Sequence, residues 1–182
     1  MRRDTIQQWL VFGLLVAIGI VGRWGQPQWN VTPLAATALF AGYYFAHRGV
    51  ALLVPIVILT ITNFALLPYD SVPVMVSVYF AMTLPVLIGV WLQRIRSWPT
   101  WILAGPLAAL VSSTVFYLLT NLAVWAFENH YPHTLAGLAE SYFAGIPFYR
   151  WMAAGDLIYT ATLFGCYAIA RQFELRTASA AT

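Results

Sequence analysis

Long apolar runs separated by short polar segments follow one another along the whole chain. Each run is close to the roughly 20 residues that a helix needs to cross a bilayer. The runs are continuous and lack the period-two alternation of a membrane β-strand. The pattern therefore predicts an all-α, polytopic membrane protein with six transmembrane helices. These helices would cover residues 6–22, 31–46, 50–67, 72–92, 101–127 and 152–170.

The segment between the fifth and sixth runs has a different pattern. From Thr134 to Ile146 apolar residues recur at helical spacing, with Glu140 on the other side. This spacing predicts an amphipathic helix in the loop between helices five and six. Such a helix either lies in the membrane interface and orders the loop, or folds over the bundle as a lid. The apolar positions are Leu135, Leu138, Ala139, Tyr142, Phe143 and Ile146.

Composition and charge support a membrane protein and exclude other classes. The chain is 61% hydrophobic and 8% charged, whereas a soluble domain carries about 25% charged residues. The net charge is +3, but the arginines are scattered between apolar runs, so we expect no nucleic-acid partner. We predict one membrane domain over residues 1–176. A small, polar tail over residues 177–182 is expected to be disordered.

The arginines also predict an orientation, because cytoplasmic loops are enriched in basic residues. With six spans, two arginines, Arg23 and Arg150, fall on one side of the membrane. The other seven fall on the opposite side, which places both termini in the cytoplasm and the protein in the inner (plasma) membrane. These seven are Arg2, Arg3, Arg48, Arg94, Arg96, Arg171 and Arg176.

Polar residues within the runs lie near the predicted outer ends of their helices. A polar side chain inside a span is costly, so its depth carries information about function. Aromatic residues accompany the polar ones, as is typical of small-ligand pockets. We therefore predict an outward-facing substrate site. Its candidate residues are Asn30, Thr32, Asn63, Asn121, Trp125, Tyr142, Asp156 and Tyr159.

Asp156 is the most informative of these residues, because a carboxylate within a span is expensive. It either contacts a ligand or forms a structural pair with Arg150 or Asn121. Trp125 lies four residues after Asn121 and therefore shares its helix face. Both side chains are predicted to face the pocket.

No catalytic or metal-binding pattern emerges from the remaining residues. His130 and His133 lie three apart in a loop, but a metal site needs three or four ligands. Cys166 is the only cysteine, and the spans contain no second carboxylate with which Asp156 could form a catalytic dyad. We expect neither an enzyme nor a cofactor or metal site.

Small residues recur every four positions in three of the predicted helices. They are expected to let helices approach closely within the bundle, with a docking face for another membrane subunit as the alternative. The repeats are Gly13 and Ala17, Ala38 and Gly42, and Ala104, Ala108 and Ser112.

Several stretches resemble a family of small bacterial membrane proteins that are described as transport proteins. They are NVTPLAATALFAG at 30–42, TNLAVW at 120–125, GLAESY at 137–142, IPF at 146–148 and DLIYTATLFG at 156–165. That family is similar in size and layout to the substrate-binding S components of energy-coupling factor (ECF) transporters.

The resemblance implies that the chain captures a vitamin-sized molecule from the outer side of the membrane. A transmembrane coupling subunit and two ATPases would then supply the energy. S components often carry an Ala-x-x-x-Ala contact to the coupling subunit in their first helix, and the nearest match is Gly13-x-x-x-Ala17. The alternative interpretation is a non-catalytic structural or assembly subunit of a larger membrane complex.

Overall fold

The computed structural model describes residues 5–26, 30–66, 69, 71–95 and 98–180. Within these ranges every regular element is helical and no strand occurs, which confirms the prediction of an all-α protein. The helices are α1 (Thr5–Trp24), α2 (Leu34–Tyr44), α3 (Arg48–Asn63), α4 (Val72–Ala81), α5 (Thr83–Leu92), α6 (Trp98–Phe127) and α7 (Leu135–Ala180).

In the part of the chain that the structure describes, four helical stretches are long and apolar enough to cross a membrane. Helices α4 and α5, which are separated only by Met82, together form one of them. Helices α2 and α3 have 11 and 16 residues, or about 17 and 24 Å at 1.5 Å per residue. Both are shorter than the ~30 Å hydrocarbon core. A membrane protein is thus supported, while six spans and cytoplasmic termini stay predictions. The four stretches are Thr5–Trp24, Val72–Leu92, Leu103–Phe127 and Leu135–Phe173.

Helix α2 lies at the centre of the bundle. Ten of its eleven residues are buried, and it contacts α1, α3, α5, α6 and α7. A helix that is apolar all round is stable only when neighbours surround it. The apolar run at 31–46 therefore forms the core of the protein rather than a helix with a lipid-facing side.

Helices α2 and α5 approach each other closely at Gly42 and Gly89. A Cβ atom at Gly42 would lie 2.0 Å from the carbonyl oxygen of Val86. One at Gly89 would lie 2.0 Å from the carbonyl oxygen of Leu39. Only glycine allows the two backbones to come this close. The two glycines therefore set the position of the central helix.

The small residues of α6 also pack inside the bundle, as predicted. Ala104, Ala108 and Ser112 are all buried. Helix α1 differs, because a Cβ atom at Gly13 would meet nothing within 4 Å and Ala17 is exposed. The expectation that this pair packs within the bundle is therefore wrong.

The helices run in alternating directions between two ends of the bundle, with α4 and α5 together forming one stretch. At one end, which we call the upper end, Arg23 of α1 contacts Asn63 of α3, and α2 begins nearby at Leu34. At the other end, the lower end, Gln93 follows α5 and donates to the Tyr43 carbonyl near the end of α2. The first half of α1 and the second half of α7 both lie toward the lower end, where Phe12 contacts Phe45 and Tyr167 contacts Tyr44.

The structure differs from the sequence prediction at the start of α7. The residues predicted to form a separate amphipathic loop helix are continuous with the sixth predicted span in one helix of 46 residues. The apolar side chains of Leu135 and Phe143 are 85% and 73% exposed. The buried face consists instead of Gly137, Ser141 and Gly145. Ser141 and Gly145 pack against α6, and Gly137 packs against the backbone of Pro132 in the loop before α7. This agrees with the preference for small residues at contacts between membrane helices.

The far end of α7 continues into the segment predicted to be a disordered tail. The helix is continuous through residue 180, while residues 181 and 182 lie outside the described part of the chain. The assignment of residues 1–176 to a single domain stays a prediction.

Candidate functional site

A cavity of about 220 Å³ lies at the upper end of the bundle, where α2 begins. Its apolar lining includes Val78, Met82 and Phe116, so that helices α4 and α6, together with the residue between α4 and α5, contribute walls. Its polar lining comes from α1, the segment before α2, the segment before α4, and α7. Those polar residues are Arg23, Gln26, Asn30, Thr32, Tyr69 and Asp156.

Asp156 is the most deeply buried polar group at this cavity, with 3% of its surface exposed. The hydroxyl of Ser113 on α6 donates to its Oδ2 at 2.6 Å. Among the described residues Asp156 forms no ion pair, and neither of the partners predicted from sequence contacts it. Arg150 lies over the Trp151 ring instead, and the Asn121 amide donates to the Tyr117 carbonyl.

Arg23 occupies the last turn of α1 and also lines the cavity. Its Nη1 donates to Thr62 Oγ1 and to Asn63 Oδ1, the latter at 3.1 Å. The Asn63 amide in turn donates to the Tyr79 hydroxyl at 3.2 Å. Asn63 therefore helps to orient the Arg23 side chain, but Asn63 itself does not line the cavity.

Asn30 and Thr32 belong to the short segment that leads into α2. Asn30 has a φ of 64°, a left-handed conformation that asparagine tolerates better than most residues. Its N–H donates to Gln26 Oε1 at 3.1 Å. Helix α2 then begins after Pro33, and no side chain caps its first-turn amides. The uncapped start of the helix therefore lies at the cavity, since Leu34 and Ala35 line it.

Three of the predicted site residues lie in the α6–α7 hairpin, away from the cavity lining. Asn121 and Ser141 link the two helices, because the Ser141 hydroxyl donates to the Asn121 carbonyl at 3.1 Å. Trp125 Nε1 donates to the Pro132 carbonyl at 3.0 Å. The Tyr142 hydroxyl donates to the Leu118 carbonyl, also at 3.1 Å. These polar groups therefore hold the hairpin together.

Tyr159 is also separate from the polar cavity. It lines an apolar groove of about 390 Å³ between α1 and α7, together with Ala17, Val21 and Pro33. Asp156 and Tyr159 are three residues apart on α7, yet they contribute to different concavities.

Sequence reasoning missed three residues that line the cavity, Arg23, Gln26 and Tyr69, and also Ser113, which donates to Asp156. Arg23 was interpreted only as a marker of orientation, and the other three were not among the candidate site residues. The placement of Arg23 on the side of the membrane predicted to hold the site was the available clue to its role.

The lower end of the bundle contains a cluster of aromatic rings. Phe164 of α7 contacts Trp101 with ring centroids 4.8 Å apart, and Phe40 and Tyr43 at 5.0 and 5.1 Å. Tyr167 stacks edge-on against Phe40 at 5.5 Å. Rings packed at these distances fill the space between the helices.

The two histidines of the loop between α6 and α7 contact neighbouring side chains. His130 Nδ1 lies 3.1 Å from the Glu128 carboxylate, and the His133 ring packs edge-on against Trp125. Within the described parts of the chain, no three His, Cys, Asp or Glu residues come together as a metal site would require.

Comparisons with other proteins place the chain in a family. No curated protein and no solved structure matches it. The model of one family, described as a family of unknown function (DUF6580), matches residues 3–178. The match covers nearly the whole chain, and the protein therefore belongs to this family.

Proposed function

We propose that the protein is a membrane transport protein that captures a small molecule in the upper cavity, as the substrate-binding subunit of an S component-like system. The observation that carries this proposal is the cavity itself, with Arg23 and the buried Asp156 in its lining. An ionisable side chain within a membrane bundle is by default a candidate for function. A mixture of apolar walls and a few fixed polar groups is typical of small-ligand sites.

The size of the cavity suits a small solute. A water molecule needs roughly 10–15 Å³ of such volume, so about 220 Å³ accommodates on the order of ten to twenty non-hydrogen atoms. The packing of the lower end is also in keeping with capture at the upper end, because aromatic rings fill the space between the helices there. A transport protein that binds its ligand at the upper end, and whose lower end is filled by side chains, needs a conformational change or a partner protein to release the ligand.

The sequence resemblance supports the same interpretation. Asn30 and Thr32 lie in the resembling stretch at 30–42, and Asp156 begins the one at 156–165. All three residues line the cavity. Under this proposal the upper end faces the outside, and a transmembrane coupling subunit with two ATPases supplies the energy. The exposed Gly13 and Ala17 of α1 offer a face on which a coupling subunit can pack closely.

A second candidate function is a structural or assembly subunit of a larger membrane complex. The exposed apolar face of the hairpin favours it, because Leu135, Phe143 and Ile146 all project from the bundle beyond the predicted sixth span. Large exposed apolar patches often mark contacts with other proteins or with lipid.

Native mass spectrometry of the full chain in lipid nanodiscs separates the two functions, since it detects ligands and partners together. Capture predicts a bound small molecule in the wild type and its loss in Asp156→Ala. The matched control is Glu140→Ala, on the exposed side of α7, which should retain the ligand. A ligand-free wild type that co-purifies with other membrane proteins would favour the structural function instead.

A further inference from the structure

Two ionisable residues of opposite sign, Arg23 and Asp156, are among the described lining of the upper cavity. They do not form an ion pair with each other, and neither forms one with another charged side chain in the described ranges. Within those ranges the cavity therefore presents one basic and one acidic side chain, and neither has a charged partner.

Neutral partners on different helices hold these two charges in place. Thr62 and Asn63 of α3 accept hydrogen bonds from Arg23. Ser113 of α6 donates to one oxygen of Asp156. Because Thr62, Asn63 and Ser113 carry no charge, they orient the two ions without cancelling them. The Oδ1 atom of Asp156 has no hydrogen-bond partner in the part of the chain that is described and is free to meet a ligand.

The surroundings of Arg23 favour a negative ligand group. Gly22 packs directly against Pro33, the residue that precedes α2, with a Cβ position only 2.4 Å from the Pro33 ring. Arg23 is therefore close to the uncapped start of α2. First-turn amides carry a partial positive charge and commonly bind anions. The guanidinium and the helix start together form one electropositive side of the cavity.

Burying unpaired ions is unfavourable, and a ligand that brings both missing partners relieves this cost at each of them. Building on the capture function proposed above, we infer that the substrate is a small zwitterion. Its carboxylate binds at Arg23 and the start of α2, and its ammonium group binds at Asp156. Val78, Met82 and Phe116 then surround an apolar side group. Free amino acids have this charge pattern and fit a cavity for on the order of ten to twenty non-hydrogen atoms.

The test compares three chemically matched pools with the full-length protein in nanodiscs. The first pool contains free amino acids, the second their deaminated carboxylic acids, and the third their decarboxylated amines. Only the amino-acid pool should raise the midpoint of thermal unfolding. Calorimetric titration of its best member should show at least about tenfold tighter binding than either analogue, as expected for the loss of one charged hydrogen bond.

Two variants identify which residue binds which charged group of the ligand. In Arg23→Gln the best amino acid should bind no more tightly than its decarboxylated amine. In Asp156→Asn it should bind no more tightly than its deaminated acid. The exposed controls Arg48→Gln and Glu140→Gln should keep the wild-type preference. Each comparison is a ratio of two affinities measured with the same variant. A general loss of stability would weaken both affinities and would leave their ratio unchanged.

The outcomes separate this inference from the proposed function. Equal binding of a singly charged pool by the wild type would overturn the zwitterion assignment and leave capture intact. If no pool binds, the ligand that native mass spectrometry finds on the purified protein is the next test. A ligand that carries both a positive and a negative group supports the inference, and a ligand that lacks either group overturns it. If no pool binds and the purified protein carries no ligand, both the inference and the capture function fail.

Discussion

The two termini of α2 differ in whether side chains form hydrogen bonds with their backbone groups. At the upper end, no side chain caps the start of the helix, and the cavity lies beside it. At the lower end, the Gln93 amide donates to the carbonyls of Gly42 and Tyr43, both at 2.9 Å. The carbonyls at the end of α2 are therefore satisfied by a side chain of the protein, whereas the first-turn amides of α2 have no side-chain partner and remain available to a ligand at the upper end.

The same helices contribute to both ends, so the contrast arises over a short distance. Asp156 and Phe164 are eight residues apart on α7, or about 12 Å at 1.5 Å per residue. One lines the cavity and the other lies in the aromatic cluster. We therefore expect substitutions at the lower end to change stability and those at the upper end to change binding.

The largest expected effect is from Phe164→Ala at the lower end. Removing a buried ring leaves a cavity, and the free energy of unfolding should fall by about 3–5 kcal/mol. Ligand affinity should not change. Denaturant unfolding in mixed micelles measures the stability, and Phe143→Ala, at a 73% exposed ring, is the control. A loss of affinity without a loss of stability would contradict the division between the two ends.

Gly42→Val tests the contact that positions α2 between the ends. The added side chain collides with the Val86 carbonyl, which belongs to the backbone and cannot rotate away. We expect a loss of about 3 kcal/mol of stability, near the top of the range for overpacking. Gly13→Val, where nothing lies within 4 Å, should change stability by less than about 0.5 kcal/mol. Equal stability of the two variants would show that the close approach is not needed.

Gln93→Leu removes the side-chain amide that donates hydrogen bonds to backbone carbonyls at the end of α2. It leaves the Gly42 and Tyr43 carbonyls without their donor, and an unsatisfied acceptor costs about 1–3 kcal/mol. The same unfolding assay should therefore show a loss of about 2 kcal/mol. Gln172→Leu, at an exposed position on α7, is the matched control. If Gln93→Leu is as stable as the control, water satisfies these carbonyls instead.

The smallest expected effect is from Ser113→Ala at the upper end. Ser113 orients Asp156 through one hydrogen bond, whose net contribution is about 1 kcal/mol. The affinity for the ligand should fall about fivefold, and the free energy of unfolding should fall by about 1 kcal/mol at most. Ser77→Ala is the control, because that hydroxyl donates to its own helix at the Pro73 carbonyl. Unchanged affinity in Ser113→Ala would mean that other contacts suffice to orient Asp156.

The sequence anticipated part of the cavity lining and misplaced the rest. Asn30, Thr32 and Asp156 were expected near one another and do line one cavity. Asn121 and Tyr159 were assigned to the same depth, yet one lies in the hairpin and the other at the apolar groove. The positive-inside pattern predicts only depth along the membrane normal. The direction in which each side chain points around the bundle depends on how the helices pack.

The hairpin shows a similar limit. The apolar spacing between Leu135 and Ile146 correctly predicted a helix, but the buried face of that helix is the one with Gly137, Ser141 and Gly145. In water the apolar face would be buried, whereas among membrane helices small residues allow the closer contact. The predicted loop helix and the predicted span at 152–170 left a gap around Arg150, but α7 continues through it.

The helical class, the apolar character and the positions of most helices follow from the amino-acid sequence alone, because run length and periodicity are local properties of the chain. Packing between the helices makes the short second run the buried centre of the bundle. Packing also brings Arg23 and Asp156, 133 residues apart, to one cavity, where the two side chains do not pair with each other. These outcomes depend on which helices are neighbours, and contacts such as that of Gly42 with the Val86 backbone set that arrangement.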